Sequence, residues 1–486
     1  MSVLTRSRIR FGPFELDPQS GELFKLGYKL NLHGQPIEVL SILLERPGEP
    51  LQVHFDCGRR NSMQRIIRRF WITGIITPAV LAASTFGQGN SDNNGKKPLT
   101  VELGPRPFYL VEGMDPSPLK SKLMSCENGP FHATTFSIGH RGAALQFPED
   151  TKEAYQAGAR MGAGIVECDV TFTKDGKLVC RHDECDLATT TNIVTTDLNN
   201  KCTVPWSGPG QNPSPRCCTS DLSLAQFKSL QGKMDASVPS ATTPQGFQGG
   251  TPSFRTDLYT GRGTLMTFKE SIALNEQNGV KHTPELKAGD PTRIDAIFGS
   301  QANYAQKMID ELRAAGVDPK NVFAQSFNPD DIVYWIQHEP EFGKQAVYLD
   351  DYDPTANPPI PPLTVQELQL RKAQGFKIIA PPMFALLSVD ASGNIAPSDY
   401  AKMIKGMGFK IITWTFERSD LRKGAGPAGF YWLFDPNNVA IKKDSDMYKA
   451  LDVLATQVGI LGIFSDWPAT VTYYANCMLD HKEGGH

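Results

Sequence analysis

From residue 136 onward the chain alternates short apolar runs with amphipathic helical stretches, and this alternation constrains the fold more than any other feature. Repeated βα units predict a parallel sheet covered by helices. Helical stretches such as Thr151–Met161 and Val365–Ala373 separate nine strand-like runs: Phe136–His140, Ile165–Val170, Leu178–His182, Lys281–Leu286, Val322–Ser326, Ala346–Leu349, Lys377–Ala380, Phe409–Thr415 and Ile460–Phe464. A (β/α)8 barrel needs eight strands. We therefore predict an α/β fold, a TIM-type barrel, in which the weaker run Lys377–Ala380 is an accessory piece.

Polar side chains follow several of these runs at the point where the strand ends. Glu167 and Asp169 are two residues apart, so both point to the same face of the second strand, and Glu285 and Lys287 share this spacing. The active sites of such barrels lie at the carboxyl ends of the strands. The remaining candidates at these ends are His140, Arg141, His182, Asp183, Trp414 and Asp466.

The candidates include the residue types that cleavage of a phosphodiester needs. Glu167, Asp169 and Glu285 offer hard oxygen ligands, which suit Ca²⁺ or Mg²⁺ rather than zinc. Arg141 and Lys287 offer positive charge for an anionic substrate, and the two histidines suit a general acid and a general base. A lone histidine or acid pair at a strand end is usually a solvated residue, so the prediction rests on the joint pattern.

Residues 63–88 have the pattern of a secretory signal peptide. Arg65, Arg68 and Arg69 precede an apolar stretch over Phe70–Ala83, small residues follow, and no acidic residue occurs between Asp56 and Asp92. A buried helix of about four turns is the alternative interpretation. The signal peptide predicts a mature protein that is periplasmic or secreted.

Residues 1–62 are then unexpected, because a signal peptide belongs at the N-terminus. Residues 8–50 have a hairpin-then-helix pattern that resembles the start of the winged-helix domain of response-regulator transcription factors. The recognition helix that enters DNA should follow, but the signal-like segment follows instead. We predict that residues 1–62 are a truncated extension or a mis-joined start, that residues 89–130 are a lead-in segment, and that residues 131–480 form the barrel.

The charge and cysteine content limit the partners of the chain. A formal net charge of −3 excludes a basic field over the whole protein, and a nucleic-acid partner is not expected. No apolar run reaches the length of a conventional spanning helix, so no membrane span is expected after signal removal.

Of the nine cysteines, Cys57 lies in the extension, and the remaining eight favour disulfides in an oxidising compartment. Zinc is the rival interpretation, but the chain has no C-x₂-C pair. The adjacent Cys217 and Cys218 are expected to bridge to two different partners.

The order of these motifs resembles the glycerophosphodiester phosphodiesterase family over roughly residues 131–470. The segments that carry the resemblance are His140-Arg141-Gly142, Pro148-Glu149-Asp150-Thr151, Glu167-x-Asp169, Thr173-Lys174-Asp175-Gly176, His182-Asp183, Glu285-x-Lys287, Trp414-Thr415 and Ser465-Asp466. Two departures are mild, because Asp150 stands where the family usually has Asn and Leu286 where it usually has Ile. Neither removes a reacting group.

The resemblance implies a TIM-type barrel that hydrolyses glycerophosphodiesters, such as glycerophosphocholine or glycerophosphoethanolamine, to glycerol 3-phosphate and an alcohol. It implies one divalent metal ion on Glu167, Asp169 and Glu285, with Ca²⁺ preferred to Mg²⁺. His140 and His182 would be the acid–base pair, in undecided order, acting through a cyclic phosphate. Arg141 and Lys287 would bind the phosphate. Contacts behind the reacting groups or with the substrate would come from Glu149, Asp183, Trp414 and Asp466.

Residues 185–263 match the family's loop insertion over the barrel mouth, and we predict that they help to select the headgroup. A passive surface excursion is the alternative. For the whole protein, a sphingomyelinase D-like phospholipase on the same barrel is the nearest alternative function. A DNA-binding regulator acting through residues 1–50 is a remote one. The oligomeric state is left open by the sequence.

Overall fold

The computed structural model describes residues 99–479 and, nearer the N-terminus, the strands within residues 9–30. The chain divides into two compact units, Met1–Asp92 and Asn93–His486. In the first unit an antiparallel meander of four strands runs in chain order: β1 (Ile9–Phe11), β2 (Phe14–Asp17), β3 (Glu22–Lys25) and β4 (Tyr28–Leu30). The predicted signal peptide and the helical part of the winged-helix resemblance lie outside the described residues.

The second unit is built on a closed barrel of eight parallel strands, as the sequence predicts. Its pairing order is β10-β11-β12-β13-β16-β17-β5-β6, and β6 closes the ring by pairing with β10. The strands of this unit are β5 (Thr134–Gly139), β6 (Ala163–Phe172), β7 (Leu178–Cys180), β8 (Gln231–Gly232), β9 (Gly263–Thr264), β10 (Lys281–Leu286), β11 (Gln325–Ser326), β12 (Val347–Leu349), β13 (Ile378–Ala380), β14 (Leu387–Val389), β15 (Ile395–Pro397), β16 (Lys410–Phe416) and β17 (Gly462–Ser465).

Helices cover the outside of the barrel and begin where the sequence carries capping residues. Thr151 accepts a hydrogen bond from the backbone of Ala154, and Thr364 with Glu367 forms a capping box. The α-helices are Arg106–Glu112, Pro118–Met124, Lys152–Arg160, Leu187–Thr190, Leu224–Lys228, Pro244–Phe247, Phe268–Asn278, Pro291–Phe298, Gln301–Ala314, Pro329–His338, Pro340–Gly343, Val365–Ala373, Asp399–Gly406, Ala425–Ala428, Met447–Asp452 and Pro468–Met478. In the part of the chain described here, no helix has the length and apolar character needed to cross a bilayer.

The prediction of an accessory strand at Lys377–Ala380 is wrong. Ile378–Ala380 is the barrel strand β13, and the extra strand is β7, which runs antiparallel to β6. The physical reason is the tight turn after β6, where Gly176 has a φ of +67° and its N–H donates to the carbonyl of Thr173 at 2.9 Å. A tight turn of this kind reverses the chain, and an Asp-Gly pair is a recognised hairpin signal.

Apolar side chains fill the barrel on both sides of the strand wall. Inside, a buried cluster comprises Ile138, Ile165, Val347, Leu349, Ile378, Ala380, Ile412 and Phe464. A larger cluster packs the outer faces of the strands against the helices. Polar side chains such as His140, Glu167 and Lys287 lie instead at the carboxyl ends of the strands.

The lead-in segment packs on the barrel as part of the same unit. The ring of Phe108 lies 5.2 Å from that of Tyr473 between centroids, and the Tyr473 hydroxyl donates to the carbonyl of Leu123 at 2.6 Å. A disulfide joins Cys126 to Cys477. Residues 99–130 therefore belong to the same compact unit as the barrel.

The insertion between β7 and the helix Phe268–Asn278 has little regular structure and two disulfides. Cys185 pairs with Cys218, and Cys202 pairs with Cys217. A fourth bridge, Cys168–Cys180, ties β6 to β7. All eight cysteines of the described region are therefore bridged, which confirms the disulfide prediction and the separate partners of Cys217 and Cys218.

Candidate active site

A cavity of about 390 Å³ opens at the carboxyl ends of the barrel strands. Its wall contains seven of the residues that the sequence predicts, namely His140, Arg141, Glu167, His182, Glu285, Lys287 and Trp414. The residues of this wall that the prediction missed are Asp235, Gln325, Phe327, Leu349, Arg418, Phe430, Tyr431 and Phe464. Strands far apart in the sequence thus converge on one site.

Three carboxylates meet at this end of the barrel, and two of them, Glu167 and Glu285, line the cavity. Glu167 and Asp169 alternate along β6, and Glu285 on β10 is in register with Asp169. One oxygen from each of the three lies within 4.8 Å of the others. Burial, followed by the charges of Asp169 and Glu285, holds the pKa of Glu167 well above its usual range. Burial likewise raises the pKa of Glu285 to about 7, against the opposing effect of Lys287.

Such crowding is what a divalent cation relieves. Buried like charges repel one another, and each loses the solvation of water. Within the described residues, the buried Oδ2 of Asp169 makes no hydrogen bond. Oxygen donors of this kind suit Ca²⁺ or Mg²⁺, so the residues present fit a divalent metal.

Two cations lie beside the carboxylates. Lys287 Nζ is 2.6 Å from Glu285 Oε1 and 3.7 Å from Asp169 Oδ1. Arg141 donates through Nη1 to Glu149 at 2.7 Å, and its Nε is 3.3 Å from Asp169 Oδ2. Burial raises the pKa of Asp169, but Lys287 and Arg141 outweigh it and hold that pKa below its usual range.

The turn that carries His140 and Arg141 is close-fitting. Arg141 has a φ of +51°, and Gly142 has a φ of +93°. A Cβ on Gly142 would lie 2.4 Å from the carbonyl carbon of Ala154, so only glycine fits against the helix there. The backbone N–H of Arg141 donates to Glu167 Oε2 at 3.0 Å, which ties this turn to the carboxylate cluster.

His140 is held by a carboxylate behind it. Its Nδ1 lies 2.6 Å from Asp466 Oδ1, while its Nε2 lies 3.9 Å from Glu167 Oε2. Burial, and then the charge of Arg141, lowers the pKa of His140 to about 4, and Asp466 opposes that shift. His140 is therefore neutral near pH 7, and its pairing with Asp466 assigns the proton to Nδ1.

His182 reaches the same cavity by another route. The strand β7 returns along β6, and the N–H of Arg181 donates to the carbonyl of Asp169 at 2.8 Å. Burial, followed by the charges of Arg141 and Lys287, holds the pKa of His182 well below its usual range. The hairpin therefore brings the second histidine to the cavity that Glu167 and Glu285 line.

A second charged cluster stands behind His140. Glu149 accepts hydrogen bonds from Arg141 and, at 3.0 Å, from Arg418 Nη2, and it lies 3.7 Å from Arg255. Arg418 also lies 3.1 Å from Asp466. Arg418 and Arg255 were not predicted, although Arg418 follows β16 in the same way that other candidates follow their strands.

Asp150, the departure from the family pattern, is buried and accepts a hydrogen bond from the Tyr155 hydroxyl at 2.8 Å. Burial, followed by the charge of Asp169, holds its pKa well above the usual range. Burial therefore favours the neutral form of this side chain, which resembles the amide of Asn in shape and hydrogen bonding.

Trp414, Asp183 and Gln325 differ in how close they lie to the carboxylate cluster. Trp414 lines the cavity and donates its indole N–H to the carbonyl of Ala380 at 2.8 Å. Asp183 is exposed, and its carboxylate accepts from the N–H of Cys185 at 2.7 Å. Gln325, which was missed, donates to Glu167 Oε1 at 2.8 Å.

Comparison with known proteins gives the family. The glycerophosphoryl diester phosphodiesterase family matches residues 140–470. An extracellular protein of Arthroderma benhamiae is 44% identical over 246 residues, which are 50% of this chain and 99% of that protein. A glycerophosphodiester phosphodiesterase of Arabidopsis thaliana is 24% identical over 49% of this chain and 60% of its own length. A phosphodiesterase structure from Oleispira antarctica, solved with sn-glycerol-3-phosphate, aligns with a TM-score of 0.40 and 17% identity, covering 69% of this chain and 94% of that one. By the match over residues 140–470, the chain belongs to the glycerophosphoryl diester phosphodiesterase family.

Proposed function

We propose that this enzyme hydrolyses glycerophosphodiesters to glycerol 3-phosphate and an alcohol, with His140 and His182 as its acid–base pair. The observation that carries the proposal is one cavity lined by both histidines, two metal-type carboxylates and Lys287. General acid–base groups must lie within reach of one substrate, and a single cavity meets that requirement.

Glu167, Asp169 and Glu285 hold one divalent metal ion, with Ca²⁺ preferred to Mg²⁺. Their oxygens lie within 4.8 Å of one another. Burial and neighbouring carboxylates raise the pKa values of Glu167 and Glu285, and a bound cation would offset this crowding of negative charge. When bound, the ion supplies charge that stabilises the anionic phosphoryl group. Lys287 and Arg141 bind the phosphate from the protein side.

His140 is the base of the first step. The Nδ1–H of His140 donates a hydrogen bond to Asp466, which leaves the Nε2 lone pair free to take the proton of the glycerol 2-hydroxyl. That oxygen attacks phosphorus, and His182 protonates the departing alkoxide. Burial, followed by the charges of Arg141 and Lys287, lowers the pKa of His182. An anionic substrate offsets those two charges and so favours the protonated form of His182 that this step uses.

The product of this step is a cyclic phosphate. Water opens it, giving a proton to His182 and its oxygen to phosphorus, while His140 returns its proton to the 2-oxygen. Both histidines then regain their starting states, and the product is glycerol 3-phosphate. The cycle needs no group besides the metal and these side chains.

A coupled assay for glycerol 3-phosphate tests the proposal. Protein starting near residue 89 is given glycerophosphocholine after EDTA treatment, and Ca²⁺ or Mg²⁺ is then added back. We expect metal-dependent product that is lost in His182→Ala and Glu167→Ala and kept in His338→Ala, a histidine outside the cavity. Product that persists in His182→Ala would contradict the assigned role. Activity on sphingomyelin or a lysophospholipid, with none on glycerophosphodiesters, would favour the phospholipase alternative.

We also propose that the mature protein is exported, with residues 63–88 removed as a signal peptide. Four disulfides support an oxidising compartment, as does the printed name of the Arthroderma relative, an extracellular protein. N-terminal sequencing of protein from native cells tests this. A start near residue 89 is expected, and recovery of Met1 or Ser2 would contradict both the export proposal and a mis-joined start.

A further inference from the structure

One side of the cavity wall is aromatic. Trp414, Phe430 and Tyr431 all line the cavity, and the ring centroid of Trp414 lies 6.5 Å from that of Phe430 and 6.2 Å from that of Tyr431. Phe430 and Tyr431 meet edge to face at 5.2 Å. The indole of Trp414 is fixed by its hydrogen bond to Ala380. These three rings, the aromatic wall, are therefore held in place before any ligand binds.

The aromatic wall continues into the phosphate end of the cavity. Phe327 meets Trp414 edge to face at 5.9 Å, and Lys287 Nζ lies 6.0 Å from the centroid of Phe327. A phosphate held by Lys287 would thus be followed along the wall by aromatic surface. Aromatic surface is therefore available to the part of a glycerophosphodiester that lies on this side of its phosphate.

The insertion adds one carboxylate to the same cavity, that of Asp235. Its position is fixed by Lys233, two residues earlier, because Lys233 Nζ donates to the carbonyls of Met234 and Ala236, on either side of Asp235, at 2.7 and 2.8 Å. Lys233 is 4% exposed, and it also donates to the carbonyl of Thr189 at 2.6 Å. A buried lysine thus clamps the backbone around an acid that lines the cavity.

We infer that the aromatic wall and Asp235 form a subsite for a quaternary ammonium headgroup, so that the enzyme prefers glycerophosphocholine to other glycerophosphodiesters. The inference rests on the proposed function, since it names the substrate of that site. A methylated ammonium has no N–H to donate, so it binds to ring faces and to a carboxylate by charge. Glycerophosphocholine carries a negative phosphate and a positive ammonium group. Its phosphate would lie at Lys287 and Arg141, and its ammonium group at Asp235.

The test is the specificity constant kcat/KM for three glycerophosphodiesters, with choline, ethanolamine or glycerol as headgroup, at saturating metal. All three release glycerol 3-phosphate, so one assay measures them. We expect the choline ester to exceed the glycerol ester by about tenfold or more, since a desolvated cation–π site discriminates on that scale. Tyr431→Leu and Asp235→Asn should each lower that ratio about fivefold, through KM rather than kcat.

Matched variants separate the ring from the fold. Tyr431→Phe keeps the ring and should keep the choline preference, and Tyr109→Leu removes an exposed ring outside the cavity and should also keep it. Thermal denaturation confirms that each variant is folded. Tetramethylammonium should inhibit the wild type competitively, and Tyr431→Leu more weakly.

The outcomes separate the two proposals. No glycerol 3-phosphate from any ester would overturn the proposed function itself. Equal specificity constants for the three esters, a preference for the glycerol or ethanolamine ester, or an unchanged ratio in both folded variants would overturn the headgroup subsite and leave the hydrolysis standing.

Discussion

The barrel and its insertion reach order by opposite means. The barrel has a closed ladder of eight strands and apolar clusters on both sides of it. The insertion has two two-residue strands, short helices, one small apolar cluster and two disulfides. Apolar burial scales with the area removed from water, so a segment with little core needs covalent links.

The difference shows where each region can place charge. The barrel carries the crowded carboxylates Glu167, Asp169 and Glu285 at its mouth, where the surrounding scaffold holds them in register. The insertion contributes Asp235, held by backbone contacts of Lys233. The carboxylate cluster therefore lies on strands of the closed barrel, whereas Asp235 lies in the crosslinked loop.

The largest expected effect is at the barrel mouth. Glu167→Gln removes a proposed metal ligand from the carboxylate cluster, so we expect activity to fall about 10³-fold. The free energy of unfolding without metal should equal or exceed that of the wild type, because burial and like charges already oppose ionisation of Glu167. The coupled assay for glycerol 3-phosphate measures the activity, and urea denaturation measures the free energy of unfolding. The exposed Glu341→Gln is the control, and a clear loss of stability in Glu167→Gln would show that the site stabilises the fold.

The next effect concerns the insertion. The Cys202–Cys217 bridge spans a sequence separation of 15 residues, for which chain entropy gives about 3 kcal/mol. The double variant Cys202→Ser, Cys217→Ser should lose that amount locally. Amide hydrogen exchange should speed up within residues 185–230 and stay slow in the barrel strands. Equal acceleration in both regions would mean that the two fold as one unit.

A third effect tests the barrel wall by pH. Asp331 lies in the first turn of the helix Pro329–His338 and accepts a hydrogen bond from Ser326 at 2.8 Å. Burial raises its pKa from 3.8 to about 6. Between these values the folded state binds more protons than the unfolded state, so the free energy of unfolding falls as pH rises. The fall is of order 2–3 kcal/mol. The total fall in the free energy of unfolding should be smaller by this amount in Asp331→Asn and unchanged in the exposed neighbour Asp330→Asn, as measured by denaturation from pH 4 to 7. Other buried acids with raised pKa values, such as Asp350, supply the remainder of the fall. An identical pH profile in Asp331→Asn would assign the fall to another group.

The smallest effect is at the junction of the two regions. Lys228 of the insertion lies 2.6 Å from Glu270 on a barrel helix, and both side chains are partly exposed. Exposed ion pairs contribute about 0.2–1 kcal/mol. Lys228→Met should therefore lower the free energy of unfolding by about 0.5 kcal/mol, less in high salt. A loss of several kcal/mol in denaturation experiments would show that this contact, rather than the disulfides, orders the insertion.

Much of the candidate site could be predicted because the fold places strand ends together. His140 and Lys287 follow their strands, Glu167 and Glu285 lie within theirs, and the parallel barrel brings these positions to one mouth. Arg418 carried the same signal after β16 and was missed, since one arginine after a strand is common on any surface. Asp235 gave no strand-end signal, because it lies in a loop whose path depends on Lys233.

The sequence by itself determined the barrel, the bridged cysteines and most of the candidate residues that meet at the barrel mouth. Periodicity, strand-end chemistry and an even cysteine count are local properties that do not depend on the final packing. The tertiary structure decided which run is the accessory strand, how His182 arrives on a returning hairpin, and which carboxylates sit beside which cations. Those outcomes depend on strand direction and on distances between residues far apart in the chain. Burial and neighbouring charge set the pKa values of the site, and neither exists until the chain has folded.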